Sequence, residues 1–181
     1  MKDWQTRTPA ELVAHIEGRR DVVFGETLPL LDRLVAEALA AGGAEETLEG
    51  IRLLLRLLKV TLEHHLLSEE VGLFPIVRGL GAARSPQAPE ARKARYLVRH
   101  LKYEHDLLLA ALARLGEAAS DYALPPDAPQ PLRALYDLLR ALDADIREHI
   151  QLENELLFRG ILAGAELLDP QQEEARTWSP N

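Results

Sequence analysis

The sequence predicts an all-α protein, a single antiparallel up-down-up-down four-helix bundle. Three observations carry this. Leu and Ala dominate the 181 residues, aromatics make up only 5% of them, and alternating β-branched runs do not stand out. Apolar residues recur at three- and four-residue spacing along four long stretches. Breakers rich in Gly or Pro separate those stretches, which suits antiparallel neighbours.

The first helix opens at Thr8-Pro9-Ala10-Glu11: an N-cap, a proline at the first helical position and an acid in the first turn. It runs to Gly42-Gly43, and Pro29 kinks it without ending it, because the apolar spacing continues through Leu31 and Val35. The second helix runs from about Ala44 to Gly79–Gly81. After the loop GAARSPQAPEA, the third runs to about Ala119. The Pro-rich SDYALPPDAPQP leads into the fourth, from about Leu132 to Ala163. Residues 1–163 thus form the bundle, and residues 164–181 a polar C-terminal tail.

Composition removes several classes of function. A formal net charge of −8 argues against nucleic acid or an anionic membrane as partner. With no cysteine, disulfides, thiolate zinc sites and cysteine-held iron–sulfur clusters are excluded, so any metal is held by His and carboxylates. No apolar run approaches the roughly 20 residues that span a bilayer. MKDWQTRTPAEL has no apolar core of a secretory signal, so the chain reads as cytoplasmic.

Polar residues interrupt the buried stripe of every helix. The predicted stripes are Val13, Glu17, Asp21, Phe24, Leu28, Leu31, Val35 on the first helix, and Leu55, Leu58, Leu62, His65, Glu69, Ile76 on the second. On the third they are Leu97, Leu101, His105, Leu108, Leu112, Leu115, and on the fourth Leu135, Leu138, Leu142, Ile146, His149, Glu153, Leu156. Counted along the helices from the loops, Asp21, His65, His105 and His149 fall at one level of the bundle. Buried unpaired carboxylates are costly, so a shared cause is needed. Asp21, His65, Glu69, His105, His149 and Glu153 together describe a metal site, and the His-x-x-x-Glu pairs put two donors one turn apart on one face. Donors of N and O without thiolate suit iron, manganese or zinc, and two divalent ions would offset the buried carboxylates.

These residues resemble the hemerythrin-like (HHE cation-binding) family over nearly the whole chain. HHLLSEEVGLFP, KYEHDLLLAAL and REHIQLENELLF resemble its second-, third- and fourth-helix segments, and ELVAHIEGRR is similar to the di-iron branch that repairs damaged iron–sulfur clusters. The resemblance implies a pair of iron ions, with His65, His105 and His149 as ligands and Glu69 and Glu153 as bridges. It also implies a small diatomic or peroxide ligand, namely O2, nitric oxide or peroxide. Asp21 stands where the branch has a ligand histidine, a substitution expected to favour the ferric state or manganese. The branch's cysteine-bearing N-terminal domain is not seen here, and the fourth-helix LFP reads LFRG. Three functions follow as expectations: a module that binds or senses such a ligand or else handles iron, a repair or redox enzyme, and a metal-poor bundle serving interactions. A protein partner or a homo-oligomer fits any of them.

Overall fold

The computed structural model describes residues 7–42, 44–82, 88–124 and 126–166. All of its regular elements are helical: α1 (Pro9–Val22), α2 (Leu28–Ala41), α3 (Glu45–Ser68), α4 (Phe74–Ala82), α5 (Ala88–Ala118), α6 (Gln130–Leu152) and α7 (Phe158–Glu166). π turns at Val23–Thr27, Glu69–Leu73 and Glu153–Leu157 fuse α1 to α2, α3 to α4 and α6 to α7. The result is four rods, as the sequence predicts. The first packs on the second and fourth, and the third does the same. The fourth rod extends to Glu166, past the expected boundary at 163, and the remainder of the tail lies outside the described residues.

Local chemistry fixes the ends. Thr8 caps α1 in a reciprocal box: its hydroxyl accepts the Glu11 N–H at 3.2 Å, and Glu11 Oε2 accepts the Thr8 N–H at 2.8 Å. Gly42, at φ 77°, supplies the left-handed residue that ends α2. The connection from α5 to α6 turns through Ser120, Asp121 and Tyr122, all at positive φ. Arg side chains of α6 satisfy its carbonyls: Arg140 donates to Tyr122 O at 2.8 Å and Arg133 to Ala128 O at 2.7 Å.

Each π turn adds a residue to its helix and shifts the facing of what lies beyond by about 100°. This revises the predicted stripes. On the first rod the inward residues are Leu12, Val13, Ile16 and Val23 before Leu28, Leu31 and Val35. Counting regular turns backward from Leu28 points Asp21 inward; the π turn breaks that count, and Asp21 is exposed. Past the other two turns the core residues are Leu73 and Val77 where Ile76 was expected, and Leu157 where Leu156 was expected. Helix α5 has no π turn, and its stripe holds from Leu101 to Leu115.

Two apolar cores result. The larger is built around Leu31, Leu58, Leu112 and Leu135, the smaller around Ile16, Leu73, Leu101 and Phe158. Every rod passes from one to the other, and the layer between them is polar: His65, Glu69, Glu104, His105 and Glu153 are all buried there. At Gly72, in the second π turn, a Cβ would lie 3.1 Å from Leu97 Cδ2, so glycine lets the second and third rods close beside this layer.

Candidate metal centre

His65 and Glu69 are brought together by the last turn of α3 and the start of its π turn, and His149 and Glu153 by the same junction in α6. One donor atom from each of these four lies within 4.8 Å of the others. His149 Nε2 faces Glu153 Oε1 at 3.2 Å and Glu69 Oε2 at 3.9 Å. His65 Nε2 stands 3.8 Å from Glu69 Oε2 and 3.7 Å from Glu153 Oε2. His105, from α5, joins the edge of the group: its Nε2 is 2.9 Å from Glu153 Oε2, and its ring lies 4.7 Å from that of His65. Phe158 stacks on the far face of His105 at 5.4 Å.

Five of the six residues predicted for the site therefore share one layer, and Asp21 is the exception. The first rod contributes ion pairs outside the layer instead. Arg20 bonds Glu70 at 2.5 Å, and Arg19 pairs with Asp145. Glu17, half-buried, receives Arg78 at 2.5 and 2.6 Å and stays outside the cluster. Tyr96 and Tyr103 face solvent.

The residue that sequence reasoning missed is Glu104. Its carboxylate is buried beside the site; Oε2 lies 3.2 Å from His65 Nδ1, while Oε1 receives His64 at 2.7 Å, His100 at 3.2 Å and the Ser68 hydroxyl at 3.2 Å. With Nδ1–H donated to Glu104, the Nε2 lone pair of His65 is left facing the cluster, the tautomer a metal requires. Asn154 Oδ1, 3.3 Å from His105 Nδ1, fixes that ring in the same sense. The signal in the sequence is the position of Glu104 directly before a candidate ligand and four residues after His100.

The electrostatics are unbalanced without a cation. Burial, reinforced by the charges of Glu153 and Glu104, pushes the Glu69 carboxyl well above the usual carboxylate range. Burial acts on Glu153 in the same direction, but His149, His105 and His65 outweigh it and hold that carboxyl well below the range. For His65, burial disfavours the charged ring, and the carboxylates of Glu104 and Glu153 overcome it and raise its affinity for a proton. Seven buried side-chain N or O atoms have no hydrogen bond among the described residues. Five of them, His65 Nε2, both oxygens of Glu69, His149 Nε2 and Glu153 Oε1, point into this one space. Native interiors rarely orphan polar atoms, let alone five at one point. The donor set fits a transition-metal cation, which would satisfy all five and offset the two carboxylates.

Comparison with known proteins agrees. The hemerythrin HHE cation binding domain matches residues 25–161. The iron-sulfur cluster repair protein YtfE of Cronobacter sakazakii is 32% identical over 167 residues, covering 90% of this chain and 70% of that relative. The YtfE proteins of Citrobacter koseri and Escherichia coli are 30% identical over the same shares. Among the described residues no helix is long and apolar enough to cross a membrane. A four-rod helical bundle with a buried His and Glu cluster, matched over well over half its length, places this chain in the hemerythrin HHE cation-binding family.

Proposed function

We infer that the chain is a non-haem di-iron protein that binds or senses O2, nitric oxide or peroxide, or handles iron. In this reading His65, His105 and His149 are the nitrogen ligands and Glu69 and Glu153 the carboxylate bridges. Manganese or zinc satisfies the same donors. The observation that carries the reading is the convergence of five orphaned donor atoms in one buried space. Iron bound there would supply a redox-active cation with affinity for small oxygen- and nitrogen-donor ligands.

The protein's own residues restrict what reaches that cation. His149 is 14% exposed, whereas the side chains of His65, Glu69 and Glu153 are fully buried. His149 borders a cavity of about 40 Å³ shared by Ile16, Val23, Leu62, Leu66 and Leu152. That volume admits a molecule of the size of water or a diatomic gas. The aliphatic lining favours an uncharged ligand, since Arg19 and Arg20 at the same cavity are already paired with Asp145 and Glu70. Asn154 and Glu104 hold the rings of His105 and His65 in place.

Metal analysis of purified protein, with Glu153→Ala as control, tests this. Near two irons per wild-type chain, lost in the variant, supports the reading. Little metal of any kind after anaerobic reconstitution with ferrous iron overturns it and leaves a metal-poor interaction bundle. A second reading, redox turnover or iron donation in the repair of iron–sulfur clusters, is favoured by the role named for the relatives. Repeated turnover of peroxide or nitric oxide selects it; stoichiometric uptake selects the binding module.

A further inference from the structure

Ten large apolar side chains are exposed among the described residues, and seven of them lie on two helices, α3 and α5. On α3 they are Leu53, Leu57, Val60 and Leu67, followed by Val71 in the adjoining π turn; on α5 they are Tyr96, Tyr103 and Leu107, each between 43% and 69% exposed. The spacing is regular. With His64 included, the α3 residues alternate steps of four and three over the series 53, 57, 60, 64, 67, and with His100 the α5 residues do the same over 96, 100, 103, 107. That is the heptad spacing of a helix that has a partner helix. On α3 it runs along the side opposite the buried residues Leu55, Leu58 and Leu62, so the bundle's own core does not account for it.

The two stripes lie side by side. Their polar members, His64 and His100, meet on the same oxygen of Glu104, at 2.7 and 3.2 Å. Exposed apolar stripes on two neighbouring helices are the kind of surface that marks an interface.

The charges flanking the α3 stripe specify the occupant. Arg56 and Glu63 stand one heptad apart on the same flank, both exposed, and neither forms an ion pair among the described residues. Being seven residues apart, they are about 10 Å from one another along the helix and do not pair within one copy. An antiparallel α3 brings the opposite charge to each. About a twofold axis near Val60, Arg56 meets Glu63 of a second chain and Glu63 meets its Arg56, while Leu53 meets Leu67 and Val60 meets its own copy. An isologous interface requires this self-complementarity. We propose that the α3–α5 face is a homodimer interface in which α3 packs antiparallel on α3 of a second copy.

Sedimentation equilibrium on the full chain and three variants tests it. The wild type is expected at twice the monomer mass of 20.2 kDa across the micromolar range. Val60→Glu, a change on an exposed helical position, should sediment as monomer with an unchanged helical circular-dichroism spectrum. Arg56→Glu, which sets like charges together, should weaken the dimer at least tenfold, and Arg56→Glu/Glu63→Arg should recover it. A monomeric wild type overturns the proposal and leaves the face to a partner of different sequence. A dimer indifferent to Val60→Glu overturns the face, and failure of the double variant to recover overturns the antiparallel pairing.

Discussion

Glu104 Oε2 stands 3.2 Å from Nδ1 of His65, and both side chains are buried. In the proposed site this is a carboxylate orienting a ligand imidazole through its far nitrogen. Glu104→Gln keeps the shape of the side chain and removes its charge. Metal affinity, measured by competition with a chelator, is expected to fall about 10- to 100-fold without loss of fold. An unchanged affinity would reduce Glu104 to a structural hydrogen bond.

Asp21 and Glu153 carry the same charge in opposite settings, one exposed and one fully buried among imidazoles. Asp21→Ala should leave metal content at the wild-type value, whereas Glu153→Ala should lower it sharply. Elemental analysis of both variants checks the assignment. Loss of metal in Asp21→Ala would restore that residue to the site.

Glu69 is the clearest case of a group that is costly without its ion, because both its oxygens are buried and unbonded. Glu69→Met replaces the carboxylate with an apolar side chain of similar size. The metal-free variant should be more stable than metal-free wild type by about 1–3 kcal/mol, the cost of burying a polar group without a hydrogen bond. Its melting temperature should no longer rise on adding ferrous or zinc ions. In the wild type, an ion at 100 times its dissociation constant contributes about 2.7 kcal/mol.

Tyr122 lies at the strained turn before α6 with its hydroxyl buried and unbonded. Burial, helped by the charge of Asp143, pushes its phenol up to about 12. In the unfolded chain the group titrates near pH 10, so at higher pH the unfolded state gives up a proton that the folded state retains. The stabilising contribution is therefore whole below about pH 10 and is lost as pH rises to about 12. Tyr122→Phe has no such group. Denaturant titrations should show it gaining on the wild type through this window, and at neutral pH it should be no less stable.

The rods, their order and most of the inward residues were legible in the sequence because three- and four-residue apolar spacing survives in every helix. The candidate metal layer was legible for a related reason: His65, Glu69, His105, His149 and Glu153 occupy places on those stripes that a Leu would otherwise fill. What escaped was register. A π turn shows no composition of its own; VFGET, EEVGL and ENELL share no pattern that spacing can detect. Asp21, Ile76 and Leu156 were misplaced for that one reason. Glu104 escaped differently, because it sits beside the stripe of α5 and its burial depends on the neighbouring rod.

The three π turns also make the chain tolerant of length change where helices are usually intolerant. Removing Gly25 would turn Val23–Thr27 into ordinary helix, and Val13, Ile16 and Val23 would still face inward, now at regular intervals from Leu28. The same one-residue deletion in the middle of α5 would rotate half of that rod's apolar face into solvent. Natural variation in chain length should therefore collect at these turns, and related bundles that lack a residue there should keep their ligands in place.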